Sequence, residues 1–342
     1  MKAVQFHQFG DPDVLQYEEL PVPSPGPDTV LVRLHAAALN HLDLFLRSGE
    51  REKNIPLPHI PGADGAGVVE QVGGQVSDFK KGDRVVISPG IGCGTCEHCN
   101  SGTENHCRTY HVLGTPENGT YCEYIVLHPR NLVLLPSSIS FTDAAAFALV
   151  ALTAWQMLDT RAKLRAGETV LVQSAGSGVG SIGIQIAKLF GAHVIATAGS
   201  DEKLAMARSL GADETINYKA HNVIDEVKRI TGKKGVDVVF ESSGGDIFEK
   251  SIFVMAKGGR LVTCGSTSNF RVTVDLRYLF SRQLSLLGSY MGTRRELILA
   301  LQAFEAGKIR PVIDSILPLA QAADAHRRVA ARLNIGKVVL SI

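Results

Sequence analysis

Four of the chain's six cysteines lie within eighteen residues, in the stretch GIGCGTCEHCNSGTENHC. Their spacing is C-x₂-C-x₂-C-x₇-C, at Cys93, Cys96, Cys99 and Cys107. Four thiolates in one loop can surround a metal tetrahedrally, as Zn²⁺ prefers. Because a closed set of four sulfurs leaves no position for substrate, the spacing predicts a structural zinc lobe over residues 90–108. His98 and His106 lie inside this lobe and are expected to be bystanders.

Two other interpretations of the cysteines are weaker. The bacterial iron–sulfur run is C-x₂-C-x₂-C-x₃-C-P, whereas the last gap here is longer and no proline follows. Disulfides are rare in the cytosol, and the sequence predicts a cytoplasmic protein.

The first residues of the chain lack the basic and apolar regions of a secretory signal, and no apolar run reaches the length that a bilayer needs. We therefore expect no membrane partner.

A glycine-rich turn between a strand and a helix predicts a dinucleotide site. In VLVQSAGSGVGSIGIQIA, the strand is expected over Val170–Gln173 and the helix after the turn. Small residues let the backbone approach a pyrophosphate, and the helix N-terminus supplies free N–H groups. The match to G-x-G-x-x-G is imperfect, since alanine and serine replace the first two glycines. The predicted turn residues are Ala175, Gly176, Ser177, Gly178, Val179 and Gly180.

The end of the next strand favours NADP over NAD. An NAD site usually has an acidic residue there to bind the ribose 2′-hydroxyl. Here HVIATA ends at Ala198 with no carboxylate, and the acidic pair that follows fits the first turn of a helix capped by Ser200. The absent acid, together with Ser200, Lys203 and Tyr218, predicts a site for a 2′-phosphate.

These motifs need two kinds of fold to position them. Up to residue 148, short β-branched runs alternate with Pro and Gly punctuation, which predicts antiparallel strands. From Thr169 to Tyr290, short apolar strands alternate with helices, which predicts βαβ units and a buried parallel sheet. The final GKVVLSI is expected to be a strand of the first domain. The 342 residues suit two domains, and a net charge of +1 without a basic run excludes nucleic acid as an expected partner.

The sequence resembles the medium-chain dehydrogenase/reductase superfamily through PGADGAGVVEQVG, KKGDRV, the cysteine lobe, TAWQML, SAGSGVGSIGIQIAKLFGA, LGADETINY and GKVVL. The resemblance implies an α/β fold with a β-rich GroES-like catalytic domain at 1–148 and 292–342. It also implies a Rossmann domain, a doubly wound parallel sheet, at 149–291, and hydride transfer with a nicotinamide. Further cofactor contacts implied by the resemblance are Cys264, Gly265, Ser266, Ser289, Tyr290, Met291 and Lys337, with Asn334 beside the last of these.

The resemblance also implies that the catalytic zinc of the family's alcohol dehydrogenases is missing. At the positions of its Cys, His, Glu and second Cys, this chain has Asn40, Ala63, Asp64 and Leu149. Alanine and leucine cannot ligate zinc, and catalytic zinc uses three protein ligands. A different metal site built from His41, His59 and Asp43 or Asp64 stays open as an alternative.

Without the catalytic zinc ligands, the chain resembles the zinc-independent quinone oxidoreductase and enoyl reductase branch. The cysteine lobe is a departure from this branch, because typical quinone oxidoreductases lack it. In LNHLDLFLRSG, Asn40, Asp43 and Arg47 match that branch. Without a Lewis acid, reduction of a quinone or an α,β-unsaturated carbonyl is easier than alcohol oxidation. We expect Asn40 to contact substrate or cofactor, Asp43 to orient a neighbour such as Arg47, and Tyr110 to line the site.

Two alternatives remain from the sequence. One is a zinc-dependent alcohol dehydrogenase with a non-standard catalytic metal site. The other is a non-enzymatic structural or RNA-binding relative, against which the nucleotide turn and the charge balance argue. The apolar strand LSLLGSY is expected at a sheet edge that needs covering. Because family members pair there, the resemblance implies a homodimer or homotetramer.

Overall fold

A computed structural model describes residues 1–50 and 53–342. The chain is divided into two compact units, each assembled from more than one stretch of sequence. Unit 1 comprises Met1–Leu149, Thr293–Glu305 and Arg310–Ile342, and unit 2 comprises Val150–Gly292 and Ala306–Ile309.

The first part of unit 1 is built of short strands with a few helices, as the punctuation by Pro and Gly predicted. Its elements in chain order are β1 Lys2–Phe6, β2 Leu15–Glu19, β3 Val30–Ala38, α1 His41–Ser48, β4 Asp64–Val72, β5 Arg84–Ile87, β6 Gly90–Ile91, α2 Glu97–Asn100, β7 His111–Val112, β8 Tyr124–Leu127, β9 Leu132–Leu134 and α3 Phe141–Trp155, whose residues from Val150 onward belong to unit 2.

Unit 2 alternates strands with helices. Its elements, after a π-helical turn at Gln156–Arg161, are β10 Thr169–Val172, α4 Gly178–Leu189, β11 His193–Ala198, α5 Asp201–Ser209, β12 Glu214–Asn217, α6 Val223–Ile230, β13 Val236–Glu241, α7 Gly245–Ile252, β14 Met255–Thr263, α8 Leu276–Ser281 and β15 Ser285–Gly288.

The six strands of this sheet are all parallel, in the order β12-β11-β10-β13-β14-β15. The order reverses beside β10, so the ends of β10 and β13 form the switch point at which such sheets bind ligands. The core between sheet and helices includes Leu171, Ile195, Val239 and Leu261. The strand predicted from LSLLGSY is β15, and it lies at the sheet edge as expected.

The chain then returns to unit 1 with α9 Arg294–Glu305, β16 Ile313–Pro318, α10 Ala322–Ala330 and β17 Lys337–Ser341. The main sheet of unit 1 has the order β16-β17-β3-β4-β5-β9, with β8 also paired to β3. Its pairs are antiparallel except for β16 with β17. The final strand therefore joins β3, as GKVVLSI predicted, and brings Lys337 beside the end of β3 and the start of β4.

One segment, Phe141–Arg161, is long and apolar enough to cross a membrane by length and composition, contrary to the expectation that no run reaches that length. The expectation failed because the apolar stretch of α3 continues into the π-helical turn. Since 78% of its apolar window is buried within the fold, the segment has the character of a core helix.

Candidate functional site

The cysteine lobe has the geometry of a metal site. The four sulfurs lie within 4.8 Å of one another, and those of Cys93 and Cys99 are 3.9 Å apart. A tetrahedral zinc with bonds of about 2.3 Å places its sulfurs about 3.8 Å apart. In residues 1–50 and 53–342, no other group of three or more His, Cys, Asp or Glu side chains could hold a metal ion. The residues present therefore fit one closed zinc site.

Hydrogen bonds within the lobe favour thiolates. The Cys93 sulfur accepts the N–H groups of Thr95 and Cys96 at 3.5 and 3.4 Å, and these bonds lower its pKa to about 5. Burial raises the pKa of the Cys99 thiol to about 12. Four sulfurs this close need a cation before all of them can ionise. His98 instead lies 3.2 Å from the Thr103 hydroxyl.

The nucleotide turn follows β10, but its boundary differs from the prediction. The helix α4 begins at Gly178, so the last three predicted turn residues form its first turn. Ser177 causes this early start: its hydroxyl caps the helix by accepting the Gly180 N–H at 3.0 Å. Ser174, just before the turn, has a φ of 53° and its hydroxyl lies 2.9 Å from that of Ser243. The free N–H groups of α4 are thus presented beside the switch point, where a pyrophosphate can bind.

The residues predicted for the 2′-phosphate lie along the ends of β11 and β12. Ser200 caps α5, as expected, by accepting the Lys203 N–H at 3.4 Å. The Lys203 stem lies against the turn, since a Cβ at Gly176 would be 2.6 Å from its Cδ. Tyr218 lies against the end of β11, since a Cβ at Gly199 would be 2.6 Å from its hydroxyl. The Tyr218 hydroxyl thus lies at the end of β11, which itself has no carboxylate, while Asp201 of α5 accepts the Asn217 side-chain N–H at the end of β12 at 3.0 Å.

Beyond β13 and β14, a buried carboxylate organises the adjacent loops. Glu241, the last residue of β13, is fully buried and accepts the Ser243 and Gly244 N–H groups at 2.5 and 2.8 Å. Its second oxygen accepts the Thr263 hydroxyl at 2.9 Å. Burial raises the pKa of Glu241. The three bonds make this carboxylate a residue that shapes the backbone of the two loops.

The predicted nicotinamide contacts follow β14 and β15. Cys264 to Ser266 are half-buried, and burial raises the pKa of the Cys264 thiol to about 12, which does not suit a nucleophile. Ser289 donates its N–H to the Thr263 carbonyl at 2.8 Å. Tyr290 is exposed, whereas Met291 is buried with a φ of 53°. A non-glycine residue in this region is unusual and marks a backbone whose surroundings fix it.

In unit 1, three of the residues singled out by the sequence meet in one buried cluster. The Lys337 ammonium donates to Asn40 Oδ1 at 2.7 Å and to Asp64 Oδ2 at 2.9 Å. Asn40 Nδ2 donates to the same Asp64 oxygen at 2.9 Å, and the Leu149 N–H donates to Asp64 Oδ1 at 2.8 Å. Asp64 is fully buried and Lys337 is 4% exposed, whereas Asn40 is half-buried. An ammonium therefore occupies the place between Asn40 and Asp64.

A second buried network supports the first from behind α1. Asp43 Oδ2 accepts the Asn40 N–H at 2.8 Å and the Tyr121 hydroxyl at 3.2 Å. The Tyr121 hydroxyl also lies 3.4 Å from His326 Nε2. Burial raises the pKa of Asp43 to about 7 and lowers that of His326 to about 3. Asp43 orients a neighbour, as expected, but that neighbour is Asn40 at the N-terminus of α1 and not the suggested Arg47.

The other residues considered at this site lie apart from a metal-binding arrangement. His59 is buried, and its Nε2 lies 2.9 Å from the Gly114 carbonyl oxygen. His41 begins α1, with its ring 6.5 Å from that of Phe45. Tyr110 is half-buried beside β6, where a Cβ at Gly90 would be 2.0 Å from its hydroxyl. Neither histidine joins Asp43 or Asp64 in a metal-binding group of the described residues.

Sequence reasoning missed the partnership of Asp64 with Lys337, and it missed Tyr121 and His326 altogether. Asp64 entered as the replacement of a zinc ligand and as a possible ligand of a different metal site, and Lys337 only as a cofactor contact. The sequence offered one signal, which was the apolar run that follows each of the two residues. A charged residue at the edge of an apolar strand needs a partner. No spacing in the sequence joins positions 64 and 337.

Two family profiles match the two parts of the chain. The profile described as alcohol dehydrogenase GroES-like domain matches residues 26–137, and the one described as zinc-binding dehydrogenase matches residues 178–306. A quinone oxidoreductase of Pseudomonas aeruginosa is 38% identical over 352 residues, covering 99% of both chains. An NAD-dependent alcohol dehydrogenase of Sulfolobus acidocaldarius is 34% identical, covering 100% of both.

A crystal structure titled NAD-dependent alcohol dehydrogenase superposes with a TM-score of 0.97, at 49% identity and over 100% of both chains. The parallel sheet, the nucleotide turn and the cysteine lobe thus occur in a chain that resembles alcohol dehydrogenases and quinone oxidoreductases along its whole length. This chain belongs to the medium-chain dehydrogenase/reductase superfamily and is an oxidoreductase.

Proposed function

We propose that the protein is an NADPH-dependent reductase that transfers hydride to a quinone or an α,β-unsaturated carbonyl without a catalytic zinc. The observation that carries the proposal is the Asn40–Asp64–Lys337 cluster. Both Asp64 oxygens accept hydrogen bonds, and an ammonium lies between the only two polar side chains at the four positions that match the family's catalytic zinc ligands. A cation in that place repels a second cation, and the remaining two positions are Ala63 and Leu149.

The chemistry of this donor set suits an electron-poor acceptor. Oxidation of an alcohol needs a group that removes the hydroxyl proton, and zinc supplies that help by lowering the pKa of the bound oxygen. Reduction of an enone or quinone needs hydrogen-bond donors for the oxygen that gains charge. Asn40 and Lys337 are donors of this kind. Asp43 holds the Asn40 backbone, so we propose it as a positioning residue, and we propose Tyr110 as part of the site lining.

For the cofactor, we propose NADP(H) bound on unit 2. NADPH would supply the hydride. The turn residues Ala175 to Gly180 would hold the pyrophosphate, and Ser200, Lys203 and Tyr218 the 2′-phosphate. The segments Cys264–Ser266 and Ser289–Met291 would border the nicotinamide. The four cysteines would hold a structural zinc that stabilises their loop and takes no part in the reaction.

We further propose a cytoplasmic homodimer or homotetramer. The support is the uncovered edge strand β15 and the exposed apolar side chains in the segment before it, such as Phe270, Leu276 and Phe280, which are 67–76% exposed. Exposed edges and apolar patches of this kind favour association.

A second candidate function is NAD-dependent alcohol oxidation, which is favoured by the 49% identity to the structure with that title. Measurements on one preparation of the protein can distinguish the two candidate functions. Zinc content would be measured beside NADPH and NADH oxidation with a benzoquinone and a cyclic enone, and beside NAD⁺ and NADP⁺ reduction with primary and secondary alcohols. We expect about one zinc per chain and NADPH-dependent reduction. About two zinc per chain, with alcohol oxidation that mild chelation abolishes, would establish the second candidate instead.

A further inference from the structure

The Asn40–Asp64–Lys337 cluster retains two hydrogen-bond donors. An ammonium has three N–H groups, and Lys337 uses two of them on Asn40 and Asp64. The Asn40 carboxamide has two N–H groups and uses one on Asp64. Within residues 1–50 and 53–342, no group accepts the remaining hydrogen of either side chain. Asp64 is different, because its two oxygens already accept three bonds.

We propose that Lys337 is a catalytic residue: its third N–H, with the second N–H of Asn40, binds the acceptor oxygen that gains negative charge during hydride transfer. This inference rests on the proposed reductase function and goes beyond it by naming the charge-stabilising group. The family resemblance implies no more than a cofactor contact for Lys337. The contacts of its ammonium with Asn40 and Asp64 show instead that it is held beside a carboxamide in unit 1 with one N–H left over.

The reaction balances without a metal. Bound NADPH would supply a hydride, with its two electrons, to the β-carbon of an enone and would leave as NADP⁺. The π pair of the C=C bond moves to form the C=C bond of an enolate, and the carbonyl oxygen takes the negative charge. Lys337 and Asn40 donate hydrogen bonds to that oxygen, and water then supplies a proton to the α-carbon. The sum is enone, NADPH and a proton giving the saturated ketone and NADP⁺.

The cluster is rigid in the way that such stabilisation requires. The Lys337 backbone N–H donates to the Val312 carbonyl at 2.8 Å. Just before it, Ile335 donates its N–H to Asp314 at 3.0 Å, and that carboxylate also pairs with Arg328. At the other end, Asp43 fixes the Asn40 backbone. Donors held in place before the reaction need no reorganisation when charge develops, and removing one such donor typically lowers kcat by about 100-fold or more.

A purely structural ion pair would behave differently. Asp64 neutralises Lys337 within the fold, so a structural pair would affect stability without any preference for an anionic ligand. A purely cofactor-binding lysine would affect the affinity for NADPH and leave kcat unchanged. These two roles give the outcomes against which the proposal is tested.

The experiment uses the full-length protein, Lys337→Met and Lys337→Arg. Three quantities are measured: kcat with a cyclic enone, the Kd for NADPH from fluorescence, and the apparent pKa of 4-nitrophenol bound to the NADP⁺ complex, read from phenolate absorbance. We expect Lys337→Met to lower kcat by about 100-fold, with the Kd for NADPH changed less than about threefold. We also expect the wild type to lower the pKa of the bound phenol and Lys337→Met to abolish that shift. Lys337→Arg should restore part of both effects.

Two further variants keep the result interpretable. Lys81→Met removes a lysine from an exposed ion pair with Glu70 in the same unit and should match the wild type in all three quantities. If Lys337→Met does not fold, the double variant Lys337→Met with Asp64→Asn removes both buried charges and should show the same loss of kcat and of the phenolate preference. A Kd for NADPH that rises with kcat unchanged would overturn the proposal, as would the absence of a phenolate preference in the wild type.

Failure of the proposed function gives a separate result. If the wild type reduces neither quinones nor enones, the reductase proposal fails, and the phenolate measurement still decides whether Lys337 stabilises an oxyanion. If the wild type reduces enones and Lys337→Met retains its kcat, only the assignment to Lys337 fails.

Discussion

The cysteine lobe and the Asn40–Asp64–Lys337 cluster are two charged sites of unit 1 that depend on opposite kinds of information. The lobe gathers four like ligands from fifteen consecutive positions, Cys93 to Cys107, so its spacing alone predicts it. The cluster joins residues 24 and 297 positions apart. It exists only because β17 pairs with β3 and thereby brings Lys337 to the end of that strand.

The two sites also differ in how they use a cation. In the lobe, four thiolates would surround a metal completely, so the metal would stabilise the loop and would have no position for a further ligand. In the cluster, one ammonium is held by two side chains and keeps a donor for a ligand. The lobe is therefore a closed site and the cluster an open one in the same unit, and the cluster holds a lysine ammonium beside Asn40 and Asp64.

Removing one ligand of the lobe should give the strongest response. Cys96→Ser should lower the zinc content from about one per chain to nearly none, because a tetrahedral structural site needs all four ligands. The thermal midpoint should fall by roughly 10 °C, since structural zinc contributes several kcal/mol to folding. Metal analysis and a thermal scan measure both. His98→Ala and His106→Ala should keep the zinc, and loss of metal in either would show that the ligand set was assigned wrongly.

Next in size is the response of the cluster. Asp64→Asn leaves the Lys337 ammonium buried without its counter-charge, and Lys337→Met leaves the carboxylate in the same state. Each change should lower the free energy of unfolding in urea by about 3–5 kcal/mol. The double variant should cost less than either single change, because it removes both charges. If each single variant lowered the free energy of unfolding by less than about 1 kcal/mol, the cluster would contribute no more to stability than an exposed ion pair.

How much the sequence could predict follows from this contrast. The βαβ alternation predicted the parallel sheet, its edge strand and the nucleotide turn, because each signal lies within one stretch of chain. The boundary of α4 was misplaced because the capping hydroxyl of Ser177 competes with the glycine pattern. The bond from Asn40 to Asp43 is local, but the second bond to Asp43, from Tyr121, comes from 78 positions away and was not predicted. Polar contacts of that range depend on tertiary packing, which no local spacing encodes.

The buried network behind α1 adds a dependence on pH that the lobe does not share. The pKa of Asp43 is raised from 3.8 to about 7 by burial. Below the lower value both the folded and the unfolded chain hold the proton. As pH rises from about 4 to 7, the unfolded chain releases it first, so stability is lost over this range. The loss can reach about 4 kcal/mol, since one pKa unit corresponds to about 1.4 kcal/mol.

Asp43→Asn cannot ionise and should flatten this profile, so that the variant gains stability relative to the wild type as pH rises. Urea unfolding at several pH values between about 4 and 8 measures the difference. Asp78→Asn, at an exposed carboxylate, is the matched control and should leave the profile unchanged. A profile as steep in Asp43→Asn as in the wild type would assign the pH dependence to another group.

The weakest response is expected from the residues of unit 2 that we propose for the 2′-phosphate. In sequence range they are intermediate between the two sites, because they span 19 positions, Ser200 to Tyr218. Lys203→Ala should raise the Kd for NADPH about tenfold, the value of one charge-assisted hydrogen bond, and leave the Kd for NADH unchanged. Lys219→Ala, beside Tyr218 and exposed, is the control. Fluorescence titration with both nucleotides measures the ratio. If Lys203→Ala weakened the binding of both nucleotides equally, the lysine would contact the part that the two cofactors share. If the wild type bound NADH more tightly than NADPH, the alcohol dehydrogenase alternative would be favoured.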